Sequence, residues 1–238
     1  MMVRATALLA AALGLAACSD DSSSDGIDAP GGDAPDATDA PEGPCGADYQ
    51  MTGEYIDWVA TNSASDGVED AVWTVLGAQP PRTATTAPNG RIILCLSRDE
   101  VVNIAVVQNT TPYVDVLFVA DPAVLSPAGG IFSARGLKVS ERATRYDELM
   151  TGMTFNDTRG HVLVVKRGAP VAIGLGGQDS YVSDGVDDIS WEPGDTGTFT
   201  MFPNVPIGGG TATLTGTFTG PHTVPVQAGQ LTIVAVAN

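Results

Sequence analysis

Positive charge is scarce in this chain. Its 238 residues include 11 Lys and Arg against 28 Asp and Glu, for a formal net charge of -17. Binding a nucleic-acid polyanion relies on clustered Lys and Arg that displace counterions, so this balance excludes nucleic acid as a partner. Histidine is scarcer still. His161 and His222 stand apart, and without a pair at helical spacing there is no zinc signal. Neither a Gly-x-Ser-x-Gly elbow nor a Walker loop occurs, which removes the usual marks of a serine hydrolase or a P-loop NTPase. Gly208, Gly209 and Gly210 open no helical pattern and so make no phosphate cradle. The apolar run from Ala5 to Leu15 is well short of the roughly 20 residues that a membrane-spanning helix needs.

What is present begins with an address. Arg4 supplies a basic start, and the short apolar run after it is laid out as a secretory signal. The run closes on Leu15-Ala16-Ala17-Cys18, which resembles the bacterial lipobox. That resemblance implies cleavage before Cys18, a diacylglycerol on its thiol, and a membrane partner reached through the acyl chains. Ser19 follows the cysteine, and by the enteric sorting rule this implies the outer membrane. Residues 1–17 are thus expected to be the signal and 18–44 a lipidated tether. Between Ser19 and Pro44 lie eight acidic residues, no basic one, and Ile27 as the one apolar side chain larger than Ala. Such a segment cannot bury enough surface to offset its ordering entropy. As a flexible coil it reaches about 30 Å.

Beyond the tether the composition favours strands and turns, with 28 Gly, 16 Pro and 43% apolar residues. Val72 to Val75, Ile92 to Leu96, Val101 to Val107, His161 to Val165 and Thr198 to Phe202 are β-branched or aromatic runs that predict strands. Thr211 to Thr215 and Leu231 to Val236 read as alternating strands. Asn89-Gly90 predicts a hairpin turn, Lys166-Arg167 a second turn, and Ser140 to Met150 the best helix. With Cys18 taken by lipid, Cys45 and Cys95 remain and are expected to form one disulfide, as in other exported bodies.

The stretch Gly67-Val68-Glu69-Asp70-Ala71-Val72-Trp73-Thr74-Val75, with the Thr85 to Gly90 segment after it, resembles the opening of a carboxypeptidase regulatory-like, or transthyretin-like, domain. Leu94-Cys95-Leu96-Ser97 departs from that family's Leu-Pro corner. The resemblance covers about 50 residues and implies an antiparallel β-sandwich with no catalytic residues to carry over. Gly197 to Pro206 is similar to the Gly-x-Phe-x-Phe-x-Asn-Val-Pro stretch of such modules. The expected fold class is therefore mainly β, with one or two transthyretin- or Ig-like sandwiches. The expected division is a first unit over 45–120, a connecting segment with a short helix over 121–160, and a second unit over 161–238.

Two sets of residues are candidates for a ligand. Asp184, Asp187 and Asp188 form an oxygen-rich loop of the kind that holds calcium, the one cofactor the sequence entertains. Trp191 and Tyr181 offer rings on which a sugar could stack. No catalytic residue is selected by spacing. The expected function is thus a non-enzymatic, surface-anchored lipoprotein that binds a glycan, matrix or protein partner. The alternative is an extracytoplasmic hydrolase working through carboxylates.

Overall fold

The computed structural model describes residues 45–58, 66–125, 131–184 and 190–238. Cys18, the tether before residue 45, and Asp187 and Asp188 lie outside them. In chain order the elements are β1 (Tyr49–Asp57), β2 (Ala71–Val75), β3 (Arg82–Thr85), β4 (Arg91–Leu96), β5 (Val102–Gln108), β6 (Val116–Ala120), α1 (Pro122–Leu125), β7 (Phe132–Gly136), α2 (Arg142–Leu149) and β8 (Gly160–Arg167). There follow β9 (Gly174–Leu175), β10 (Tyr181–Ser183), β11 (Glu192–Pro193), β12 (Phe199–Val205), β13 (Thr211–Thr215), β14 (Thr223–Pro225) and β15 (Leu231–Ala237). The protein is mainly β.

A nine-stranded sheet in the order β11-β10-β12-β8-β15-β6-β5-β2-β3 runs through the middle. Three-stranded sheets β4-β1-β7 and β14-β13-β9 accompany it. The side chains of the central strands alternate between two cores. Leu163, Leu231, Ile233, Phe118 and Trp73 join Met51, Tyr55, Leu94 and Phe132 of the first small sheet. Val162, Val164, Val234, Val236 and Phe202 join Leu175, Leu214 and Val224 of the second. Phe118 stacks on Phe132 at 4.2 Å between ring centroids, and Tyr55 meets Trp73 edge-on at 6.5 Å. Such pairs add about 1 kcal/mol each beyond the area they bury.

Four expectations meet a different arrangement. The pairing is mixed, because β15 runs parallel to both β6 and β8, and β1 runs parallel to β7. The stretches 45–120 and 161–238 share one sheet, with β15 hydrogen-bonded between β6 of the first and β8 of the second. They lie together in one compact unit, 42–238. The end strand is not half-exposed, since its first six residues are all buried. A parallel strand covered on both faces is apolar on both, so Val234 and Val236 point one way and Ile233 and Ala235 the other. Lys166 and Arg167 are no turn, as both lie inside β8 opposite Val236 and Ala237.

The Asn89-Gly90 turn is real but joins strands of different sheets, β3 of the large one and β4 of the small one. Gly90 sits at φ 73°, and a Cβ there would lie 2.3 Å from the Tyr55 carbonyl oxygen. The left-handed backbone and the close approach both require glycine. The helix is two residues shorter at its start and one at its end than the sequence predicts. It buries Tyr146 and Leu149, three residues apart.

The entry of the chain is strapped down. Cys45 is bonded to Cys95 of β4, with Cα atoms 5.3 Å apart and a separation of 50 in sequence. Arg82 reaches across to Asp48 at 2.8 Å and to the Cys95 carbonyl at 3.1 Å. Arg98 donates to the Ala47 and Asp48 carbonyls. Closing a loop of this length removes denatured-state entropy worth about 4 kcal/mol in the chain-entropy model. Replacing both cysteines by Ala is expected to lower the unfolding free energy by about that much in a urea titration. A loss under about 1 kcal/mol would show that the arginine straps, rather than the bridge, hold the entry.

Candidate functional site

Among the described residues, the edge of the large sheet at β12-β10-β11 carries three of the sequence-selected ones, Tyr181, Asp184 and Trp191. Trp191 immediately precedes β11 and is half-buried. Its ring stacks on Trp58, which follows β1, with centroids 6.0 Å apart and planes inclined by 23°. Trp58 is 2% exposed, and neither indole Nε1 has a hydrogen-bond partner. The stack backs the Trp191 ring with a second rigid aromatic surface.

Trp191 lines a pocket of about 310 Å³ together with Val182, Ser183, Asp184, Glu192 and Thr196. With Ser190 the lining combines an aromatic ring, two carboxylates and three hydroxyls. A pyranose presents C–H groups to a ring face and O–H groups to acceptors, so this set suits a polyhydroxylated ligand. Glu192 stands beside Trp191 in sequence as an acidic neighbour, but β11 is two residues long and leaves no periodicity to tell which way its side chain faces.

Tyr181 is not part of that wall. It is 4% exposed on β10, within the core that includes Trp73 and Phe118, and its hydroxyl donates to Met150 Sδ at 3.5 Å. β10 lies between β11 and β12, and Tyr181 stands on the face of the sheet that the core covers. The expectation of a sugar-stacking ring at Tyr181 is corrected to that of a core anchor.

Asp184 also lines a neighbouring pocket of about 410 Å³ with Phe132, Arg135, Arg167 and Phe199. The Arg135 guanidinium lies 5.3 Å from the Phe199 ring centroid, and its Nη1 donates to the Trp58 carbonyl at 3.0 Å. Burial pulls the Arg135 pKa down, against the pull of Glu54 and Asp66. Two arginines beside Asp184 bring positive charge where a calcium site needs negative charge. Among the described residues no cluster of three or more His, Cys, Asp and Glu is placed to hold a metal ion. Asp187 and Asp188, the other two calcium candidates, fall outside those residues.

The histidines and one lysine have structural settings. His222 stacks on Phe218 at 4.3 Å, and His161 is wholly buried. Lys166, on the face of β8 that bears Val162 and Val164, is 4% exposed and donates its Nζ to the Asp195 carbonyl at 2.9 Å. Burial lowers its pKa to about 8.

No family model matches the chain, and no curated protein matches it. The carboxypeptidase regulatory-like resemblance of Gly67 to Val75 thus gains nothing from these comparisons beyond the β-rich class that the strands already show. Two solved structures have a weak likeness. The Bacillus anthracis TIE protein is 11% identical with a TM-score of 0.27, over 79% of this chain and 34% of that one. This chain therefore spans about a third of the TIE protein's length. GBS52, the minor pilin of the Gram-positive pathogen Streptococcus agalactiae, is 12% identical with a TM-score of 0.24, over 80% of this chain and 95% of that one. At those scores neither carries an argument about fold or function.

Proposed function

We propose that this chain is an exported lipoprotein, held to the outer membrane by a lipid on Cys18, whose β body binds a ligand and performs no chemistry on it. The basic start, the short apolar run and the Leu15 to Cys18 box support the anchor. The acidic, Pro-rich segment after Cys18 supports a solvated spacer. The observation that carries the binding reading is the pocket at Trp191, where an aromatic wall braced by Trp58 meets Asp184, Glu192 and Thr196. Its ligand class is a glycan, from a cell-wall fragment or a matrix polysaccharide. The transthyretin-like resemblance of the opening strands agrees with this, since it implies a module without catalytic residues.

The second reading, a hydrolase, draws on one feature: Asp184 and Glu192 line the same pocket, and glycoside hydrolysis uses two carboxylates. Release of reducing ends from a bound polysaccharide, abolished by Glu192→Gln, would establish it over the binding reading.

A Cys18→Ser chain, which cannot take the lipid, is expected to leave the membrane fraction, whereas the native chain yields a mature N-terminal peptide carrying a diacylglycerol mass on Cys18. An unmodified Cys18 in that peptide would end the anchor reading. The soluble variant can then be melted with soluble polysaccharides, cell-wall fragments, calcium and a chelator. A ligand at 100 times its Kd raises stability by about 2.7 kcal/mol. The expected result is a shift with one glycan that Trp191→Ala removes. Trp58→Ala, which deletes the buried member of the stack, should cost about 3–5 kcal/mol of stability without any ligand present. A glycan shift that survives Trp191→Ala would move the site elsewhere.

A further inference from the structure

The one buried imidazole of the described residues has a geometry that fixes its protonation state. His161, second residue of β8, is 0% exposed. Phe155 stacks on it at 3.9 Å and Tyr146 of α2 meets it edge-on at 5.2 Å. Its Nδ1 contacts two groups: the Tyr146 hydroxyl at 2.5 Å and the backbone N–H of Asn204 at 3.3 Å. A backbone N–H can only donate. Nδ1 therefore carries no proton, the single ring proton sits on Nε2, and Nε2 is buried with no hydrogen-bond partner.

Asn204 ties this node to the loop after α2. It lies in β12 where the register against β8 shifts, and it holds φ at 54°. Its Oδ1 accepts from the Asn156 N–H at 3.0 Å, and its Nδ2 donates to the Thr154 carbonyl at 3.0 Å. Three pieces of the protein thus converge on one ring: α2 through Tyr146, the 150–159 loop through Phe155 and Asn156, and β12 through Asn204.

We propose that His161 is an acid-operated latch: neutral, it fastens α2 and the 150–159 loop to the ends of β8 and β12, and protonation at Nδ1 releases them. A proton on Nδ1 would face the Asn204 N–H, donor against donor, and would force the Tyr146 hydroxyl to turn and accept. It would also put a charge where no water reaches. The charged groups around the ring oppose one another. Arg142 of α2 disfavours the imidazolium and Asp157 of the loop favours it, and the two are paired at 2.5 Å. Tyr146 is held neutral by its burial. β12 presents the uncharged Asn204, and the segment before β15 presents the Gln230 carbonyl, which accepts from the His161 backbone N–H at 3.1 Å. Burial is the largest influence and holds the imidazole down to about 4, against the Asn156 backbone of the loop, which favours the charged form.

The direction follows from linkage. A released histidine titrates near 6.5, and the latched one near 4. The released form therefore binds more protons between those values. The latch is at full strength above about pH 6.5 and weakens as pH falls, with the open fraction rising about tenfold per pH unit until about pH 4.

The test is amide hydrogen exchange on the Cys18→Ser chain at pH 7, 5.5 and 4.5, corrected for intrinsic rates. The α2 and 150–159 amides are compared with those of β15 in the same molecule. The expected result is that α2 loses protection by about tenfold per pH unit while β15 does not. His161→Phe, which keeps a ring beside Phe155 but cannot titrate, should flatten the α2 profile. Tyr146→Phe, which removes one partner of Nδ1, should shift it. Equal pH dependence of α2 and β15 in the native sequence would overturn the latch, as would an unchanged α2 profile in His161→Phe. If His161→Phe does not fold, the native comparison of α2 with β15 decides alone.

Discussion

β15 is the strand on which the rest of the body depends. It is the last element of the chain, yet it occupies the middle of the largest sheet, with β6 on one side and β8 on the other. Both neighbours run parallel to it, so neither pairing can be made by a tight turn. Until β15 arrives, β6 and β8 have no common partner. Both of its faces are then covered, by the core around Phe118 and Trp73 and by the core around Val164 and Phe202. Polar groups have little room in such a strand. Thr232 manages by donating its hydroxyl to the Pro225 carbonyl at 2.7 Å. Pairing of β15 with β6 joins residues more than 100 apart in sequence, so its loop-closure cost exceeds that of the β1–β7 pairing.

A chain with so few cations uses them to join segments. Arg82 pairs with Asp48 and Arg142 with Asp157. Lys138 lies between Asp57 and Glu141, and its hydrogen bond with Asp57 raises its pKa. Tyr113 donates to the other oxygen of the same Asp57 at 2.5 Å, and burial together with that carboxylate raises its pKa. Partly exposed pairs like these are each worth about 1 kcal/mol or less. Two of them join parts distant in sequence, Arg82 with Asp48 and Lys138 with Asp57, while Arg142 ties α2 to the nearby loop at Asp157. Among the described residues no Asp or Glu is buried, and a net charge of one sign opposes association between copies.

The strands themselves were largely legible. Val72 to Val75, Ile92 to Leu96, His161 to Val165 and Thr211 to Thr215 announce themselves by β-branched residues and period two. β1 and β6 did not stand out. β1 mixes Gly53, Glu54 and Asp57 into its run, and β6 is five buried residues with no alternation to detect. Sheet order was not legible, because propensity says nothing about which strand lies beside which, and the parallel junction at β15 ran against an expectation built on hairpins. The disulfide could be read by elimination among three cysteines. Of the ligand residues, Trp191 lies at a pocket, whereas Tyr181, offered by the sequence on the same grounds, is core. Aromatic side chains serve both purposes, and only what packs over each ring separates them. The His161 node was invisible, since Tyr146, Phe155 and Asn204 come together from three separate elements.

The bond between Cys45 and Cys95 has a mechanical consequence. Any pull on the chain ahead of residue 45 enters the body at Cys45 and divides there. The covalent bridge carries the tension straight to β4, so the stretch between the two cysteines, which contains β1, β2 and β3, is bypassed. Those strands cannot be peeled off one hydrogen bond at a time while the bridge is intact. Tension leaves the bridge at the carboxyl end of β4 and continues into β5. Stretched in an oxidising environment, the protein would lengthen only by unravelling from residue 95 onward. In a reducing one it would yield from β1, at lower load and with the extra length of the 50-residue loop released.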